Sequence, residues 1–287
     1  KHLLVDGGGG NTLLRQLKQA GFAWQDMREI FVTHKHVDHL MGIVWMIRMI
    51  CQHMKQGQYE GEAWIYGHDE VIGLLKEMAE QLYPKKLTDF IGKRLHLVVV
   101  NDGEECTLMG HKVTFFDIRS TKAKQYGFCM DMGNGEKLTC CGDEPYNECE
   151  KKYAENSKWL LHEAFCLYDQ ADVFHPYEKH HSTAKDASEL AEQLGVKNLI
   201  LYPPEDKNIA RRKQLYTEEI ILNLTVDKED YFVSTNVRYA NGTLFAPFYN
   251  PDDRGNNKLY KKVVKAYNKF MSNMKDIFEE VSENEDY

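Results

Sequence analysis

Three imidazoles and one carboxylate fall within six residues: His34, His36, Asp38 and His39, inside the run Thr-His-Lys-His-Val-Asp-His-Leu-Met-Gly at 33–42. His34 and His36 are two apart, so on an extended or turning backbone their rings point the same way. Imidazole and carboxylate together suit zinc, manganese or iron. Four such donors can serve two ions, His34 and His36 holding one, Asp38 and His39 the other. The competing interpretation is a histidine-rich surface turn, and the flanking chain argues against it. Residues 29–32 form a short apolar strand, and 40–54 an apolar run of helical length. Strand, ligand-bearing loop and helix in succession is a common way for α/β proteins to present a site.

The elements around this stretch place more polar groups in the same way. A strand at 137–141 ends in Gly142-Asp143-Glu144. An aspartate just past a strand end, after a glycine that lets the chain turn sharply, is well placed to bridge two metals. A strand at 159–161 ends in His162-Glu163-Ala164, and His180-His181-Ser182-Thr183 precedes a helix at 184–194. A strand at 198–202 leads into Pro203-Pro204-Glu205-Asp206 and a helix at 209–219. Further strands are expected at 3–5, 63–66, 95–100 (buried on both faces), 112–118 and 126–130, with helices at 12–20 and 68–83. The strand at 3–5 ends at Asp6, before four consecutive glycines, Gly7 to Gly10. That run lacks the spacing of a phosphate-binding loop and reads as a flexible turn lining the site mouth. Strands and helices alternate throughout, so the polar clusters gather along one edge of a sheet.

The bulk properties bound the function. The chain has 287 residues, 43% hydrophobic and 28% charged, with a net charge of −8. That suits a globular chain of one large domain, or one domain plus a small one. The acidic balance weakens functions that need broad contact with a phosphate backbone. Lys122 and Lys124 read as solvated loop charge. No apolar run nears the ~20 residues that span a bilayer, and no signal peptide is visible, so no membrane partner is expected. Seven scattered cysteines without a CxxC pair fit buried thiols in a reducing compartment, hence a cytoplasmic location.

The pattern resembles the metallo-β-lactamase superfamily and, within it, the ribonuclease Z-like branch. The residues that carry the resemblance are the 33–42 loop (HxHxDH), Gly142-Asp143, His162-Glu163-Ala164 and His181-Ser182-Thr183. It covers residues 1–217 or so and implies an αββα sandwich, four layers of α/β structure, with an N-terminal strand or two missing before Lys1. It implies that His34 and His36 bind a first zinc, that Asp38 and His39 bind a second, and that Asp143 bridges them, with manganese or iron as alternatives. In the family a hydroxide between the metals attacks. Asp38 would orient it, His181 would stabilise or protonate the leaving oxygen of a phosphodiester, and His162 and Glu163 would support the site. Two positions depart from the family pattern. Arg119 and Pro203 stand where the family places histidines, so each metal would lose one protein ligand and keep three, counting Asp143 twice.

From these residues the expected function is a metal-dependent hydrolase acting on a small-molecule or nucleotide phosphodiester. The alternative is a degenerate member with weakened or lost metal binding, Arg119 and Pro203 standing at the expected histidine positions, that acts as a binding module. The acidic charge, and the lack of a Gly/Pro-rich arm between Cys51 and Leu95, argue against tRNA as substrate. A homodimer is admitted. The domain expected at 1–219 is followed by an extension at 220–287: a β-hairpin over 231–246 with an Asn-Gly turn, then an amphipathic helix at 258–281 whose apolar stripe includes Tyr260, Val264, Tyr267 and Phe278. That stripe is expected to pack into a core, a partner groove being the other fate.

Overall fold

A computed structural model describes residues 2–202, together with Tyr216 and the pair 236–237. The first sheet contains β1 (His2–Val5), β2 (Met27–Phe31), β3 (Ala63–Gly67) and β4 (Leu95–Val99), all parallel and in that order. Parallel neighbours need crossovers, and these are supplied by α1 (Thr12–Gln19), α2 (Val37–Lys55) and α3 (Asp69–Leu82), with the short α4 (Lys85–Thr88) before β4. The second sheet has the order β11-β10-β9-β8-β7-β6-β5. Its antiparallel part is β5 (Glu105–Leu108), β6 (His111–Asp117), β7 (Tyr126–Gly133) and β8 (Glu136–Cys140). Its parallel part adds β9 (Trp159–Glu163), β10 (Asn198–Tyr202) and the two-residue β11 (Asn236–Val237). Short helices α5 (Lys151–Ala154) and α6 (Ala171–Phe174) lie in the connections, and α7 (Ala184–Gln193) covers the parallel part.

Strand alternation sorts the apolar residues into three cores. On β2, Ile30 joins the core beneath α2 and α3, with Ile43, Ile47, Ile65 and Leu75. Its neighbour Phe31 points the other way, into the layer between the sheets, with Phe115 and Phe128. The rings of Phe115 and Phe128 lie 5.1 and 5.4 Å from that of Phe31, one tilted and one edge-on. Burying each ring contributes about 2–3 kcal/mol. On the far side, Ala184, Ala187 and Ala191 bring α7 close against Leu160, Leu199 and Leu201. Helix, sheet, sheet and helix are therefore stacked as the αββα expectation requires.

Several elements differ from the sequence expectation. Helix α2 begins at Val37, three residues before 40, because His36 adopts an extended conformation (φ −61°, ψ 149°) at its N-cap. Asp38 and His39 thus ride on the first helical turn, where a carboxylate complements the helix dipole. β7 and β8 form a hairpin through Asn134 (φ 55°) and Gly135 (φ 75°), an Asn-Gly turn of the kind that matches strand twist. β5 and the hairpin turn were not anticipated. β4 is a sheet edge rather than a strand buried on both faces, and Val99 is 43% exposed.

The glycine run is not a flexible turn. Gly7 N donates to His39 O at 2.7 Å, and Gly42 N donates to Gly8 O at 2.9 Å. A Cβ on Gly42 would lie 1.7 Å from the Gly7 carbonyl oxygen, and one on Gly7 would lie 2.5 Å from Ile43 N. The two backbones touch because neither residue has a side chain, and this contact seats the start of α2 against the end of β1.

No described helix is long and apolar enough to cross a membrane. All seven cysteines are free thiols. Pro203, the helix at 209–219, the helix at 258–281 and the hairpin lie outside the described residues, apart from Tyr216, which is buried with the core around α7, and β11, which pairs with β10 in parallel.

Candidate metal centre

The ends of β2, β8 and β9, the first turn of α2 and the segment before α7 converge at one end of the sandwich. The two sheets are joined there by a hydrogen bond from Tyr126 N to Thr33 O at 3.0 Å.

His34 is fully buried. Its Nδ1 lies 2.9 Å from Thr33 Oγ1, and its Nε2 lies 2.8 Å from His36 Nδ1. His39 is braced on its Nδ1 side by Asp6 Oδ2 at 2.8 Å. Asp6 also accepts from Thr33 N and Thr33 Oγ1, each at 2.8 Å. On the other side, His39 Nε2 stands 3.3 Å from Asp143 Oδ2 and 3.7 Å from Asp38 Oδ2. Donor atoms of His34, His39 and Asp143 lie within 4.8 Å of one another, as do those of Asp143, Glu163 and His181. Asp143 is the shared corner of both groups.

The electrostatics bear on whether these residues fit a cation. Burial alone would lower the His39 pKa, but the Asp6 charge and the hydrogen bonds and charges of Asp143 and Asp6 outweigh it and raise the pKa to about 11. His34 is held down to about 2, first by burial and then by the neighbouring His39 and His36. The carboxylates around His39 favour a positive charge there, while burial and the neighbouring imidazoles keep His34 neutral. A cation placed between a neutral imidazole and these carboxylates would meet both conditions. The donor set, imidazoles plus carboxylate with the His39 ring fixed from behind by Asp6, fits zinc and also admits manganese or iron.

The second-sheet side is equally built. Gly142 has φ +79°, and a Cβ there would meet Gln125 Oε1 at 2.8 Å. That same oxygen accepts from Asp143 N at 2.5 Å, which fixes the aspartate's backbone. Glu163 is fully buried. Its Oε1 accepts from Ser182 N, and its Oε2 lies 3.5 Å from His181 Nδ1. The ring of Phe165 stacks on His181 at 4.9 Å and 14°. Lys122 Nζ lies 3.2 Å from His181 Nε2.

The structure thus gathers His34, His36, His39, Asp143, Glu163 and His181. Asp38 stands at the open rim, its side chain 68% exposed. His162 does not join them. It follows Leu161, which faces the inter-sheet layer, and shares the α7 side of β9 with Leu160; its Nδ1 donates to Glu163 O at 2.7 Å. Adjacent strand residues point to opposite faces, so only Glu163 of this pair reaches the centre. Arg119 does not present a free cation to the site. Its guanidinium lies 3.1 Å from Asp102 and 3.6 Å from Asp117, on a side chain 61% exposed. Asp6 and Lys122 were not anticipated. Asp6 directly follows a strand end, the same signal that marked the other clusters.

Four stacked layers with a histidine–aspartate centre at the strand ends define a metallo-β-lactamase-fold protein. A family model described as "Beta-lactamase superfamily domain" matches residues 2–202. The chain belongs to this superfamily, in its ribonuclease Z-like branch. "Ribonuclease Z 1" of Schizosaccharomyces pombe is 26% identical over 217 residues, which cover 70% of this chain and 26% of that protein. "Ribonuclease Z" of Prochlorococcus marinus (strain MIT 9313) is 22% identical over 240 residues, covering 67% of this chain and 74% of that protein. The chain therefore spans about a quarter of the fission-yeast protein's length and about three quarters of the cyanobacterial one's. Among solved structures, the metallo-β-lactamase fold protein YhfI of Bacillus subtilis aligns with a TM-score of 0.59 at 20% identity, over 83% of this chain and 84% of that one. The short form of human tRNase Z aligns with a TM-score of 0.57 at 19% identity, over 72% and 83%. These two likenesses are of fold.

Proposed function

We propose that the chain is a metal-dependent hydrolase that cleaves phosphodiesters. One observation carries this reading: Asp143 is common to two groups of donors, each within 4.8 Å, at the strand ends of a sandwich whose relatives are ribonucleases by name. His34, His36 and His39 with Asp143, and Asp38 at the rim, are the residues that would hold zinc, with manganese or iron as alternatives. A bound divalent ion would supply Lewis-acid polarisation of a phosphoryl oxygen.

The remaining work falls to the chain's own side chains. Asp38, exposed beside His39 Nε2, is placed to accept a proton from an attacking water and to hold it in line. His181 is placed for the leaving oxygen, with Glu163 behind its Nδ1 and Phe165 fixing the plane of its ring. Asp6 holds His39 in the tautomer whose Nε2 faces the centre.

The test is a metal-content measurement paired with hydrolysis of bis(p-nitrophenyl) phosphate and of a short RNA, in the presence of zinc or manganese. Turnover proportional to bound metal supports the reading. Full metal loading without turnover of either substrate overturns it. No metal after loading points instead to the binding-module alternative. The RNA arm is needed because the relatives' names and the tRNase Z neighbour leave the expected exclusion of tRNA without support.

A further inference from the structure

Lys122 is the residue of the 119–124 loop whose side chain reaches the centre, and it does so with its charge uncompensated. The loop's other cations are engaged: Arg119 with Asp102 at 3.1 Å, and Lys124 with Asp69 at 2.5 Å. Among the described residues, the one side-chain partner of the Lys122 ammonium is His181 Nε2, at 3.2 Å.

The backbone beneath it is held. Ser120 Oγ donates to Glu144 Oε1 at 2.7 Å, and Thr121 N donates to Glu144 Oε2 at 3.2 Å. Lys122 N and Ala123 N both donate to Ser120 Oγ, at 3.2 and 3.3 Å. Glu144 is itself buried beside Asp143. A charge presented from a pinned loop loses less freedom when it binds.

The contact also sets the roles of the groups behind it. An ammonium only donates, so in this contact His181 Nε2 accepts and Nδ1 carries the proton facing Glu163, 3.5 Å away; Nε2 turns to the leaving oxygen once the ammonium has moved onto the substrate. This tautomer is assigned from the network. Carboxylate, imidazole and ammonium thus stand in series, from buried Glu163 through His181 to exposed Lys122. The group that an incoming anion meets first is the ammonium.

We infer that Lys122 binds an anionic phosphoryl oxygen of the substrate at the mouth of the centre, with Glu163 and His181 as the positioning residues behind it. The inference rests on the phosphodiesterase reading and adds substrate selection: anionic phosphate esters are favoured over neutral carboxylic esters. A compact ammonium suits phosphate as a point charge, and a neutral ester has no full charge to offer it.

The experiment compares the full chain with Lys122→Met, which keeps the stem, and Lys122→Arg, which keeps the charge. Inorganic phosphate is titrated into each by calorimetry. KM and kcat are measured for bis(p-nitrophenyl) phosphate and for p-nitrophenyl acetate. Lys122→Met is expected to weaken phosphate binding roughly tenfold or more and to raise KM for the diester more than it lowers kcat. Lys122→Arg is expected to restore most of both, and Lys122→Met is expected to lower kcat/KM less for the acetate than for the diester. Because Lys122 is exposed, the melting temperature should not move. Phosphate affinity equal in wild type and Lys122→Met overturns the inference, even where diester turnover stands. Phosphate held through Lys122 without diester turnover overturns the phosphodiesterase reading and leaves the anion site standing.

Discussion

His39 Nδ1 lies 2.8 Å from Oδ2 of Asp6, a residue 33 positions earlier in the chain. Asp6 occupies a left-handed backbone conformation (φ 57°) at the end of β1 and accepts from Thr33 as well as from His39. One carboxylate therefore sets both the backbone before His34 and the ring of His39. Asp6→Asn keeps the shape and removes the charge. It should lower metal affinity about 10- to 100-fold, the usual effect of losing a partner behind a ligand. Competition against a chromogenic chelator measures this, and an unchanged affinity would refute the role given to Asp6.

Asp143 is the corner shared by the two groups of donors. Asp143→Ala should therefore depress occupancy of every ion the centre holds, whereas His34→Ala should spare an ion held on the Asp38–His39 side. Elemental analysis of the two purified variants separates these outcomes. Equal stoichiometry in both would mean that Asp143 is not shared.

Gly42→Ala tests the seat of α2. The new methyl would fall 1.7 Å from the Gly7 carbonyl, so two backbone segments must part. The expected loss is ~3 kcal/mol or more, in the range reserved for severe core lesions, read as a shift in the urea midpoint. Gly73→Ala is the control: it lies in α3, where an added Cβ meets nothing within 4 Å, and it should be neutral or stabilising.

Glu150 provides a pH test away from the centre. It is fully buried; its Oε1 accepts from Asn147 N at 2.9 Å, and its Oε2 has no hydrogen-bond partner. Burial raises its pKa from 4.5 to about 8, against the opposing hydrogen bonds from Asn147 and Cys141 and with some help from the Glu144 charge. The folded state thus holds this proton more tightly than the unfolded state. The stabilisation is complete below pH 4.5, declines as pH rises toward 8, and is flat above that. Glu150→Gln removes the slope, so it should be more stable than wild type at pH 9 by on the order of 5 kcal/mol relative to the same comparison at pH 4. Denaturation at both pH values decides it; a difference independent of pH would count against a neutral Glu150.

What the sequence reveals here depends on how local the determinants are. His34, His36 and His39 announce themselves because their spacing alone aligns them. Asp143 does so because a Gly-Asp step just past a strand is a local signal. The α2 start was misjudged by three residues because its N-cap, His36, is also a candidate ligand. Lys122 is silent in sequence because its partner lies 59 residues away; Asp6 carries the strand-end signal, but its partners lie 27 and 33 residues away and nothing local names them. His162 and Glu163 are adjacent and equally polar, and only the facing of β9 separates them. The Asn134-Gly135 turn obeys a simple hairpin rule that two adjacent residues are enough to state.

Asp6, His34 and His39 come from the first sheet, while Asp143, Glu163 and His181 come from the second. Between the sheets lie Phe31, Phe115 and Phe128, packed with Tyr66, Val113, Tyr126 and Met130. The aromatic layer is in effect a spacer gauge for the centre. Thinning it with Phe115→Leu, without touching a single donor, should retune which ion the site prefers, because ions differ in size before they differ in chemistry.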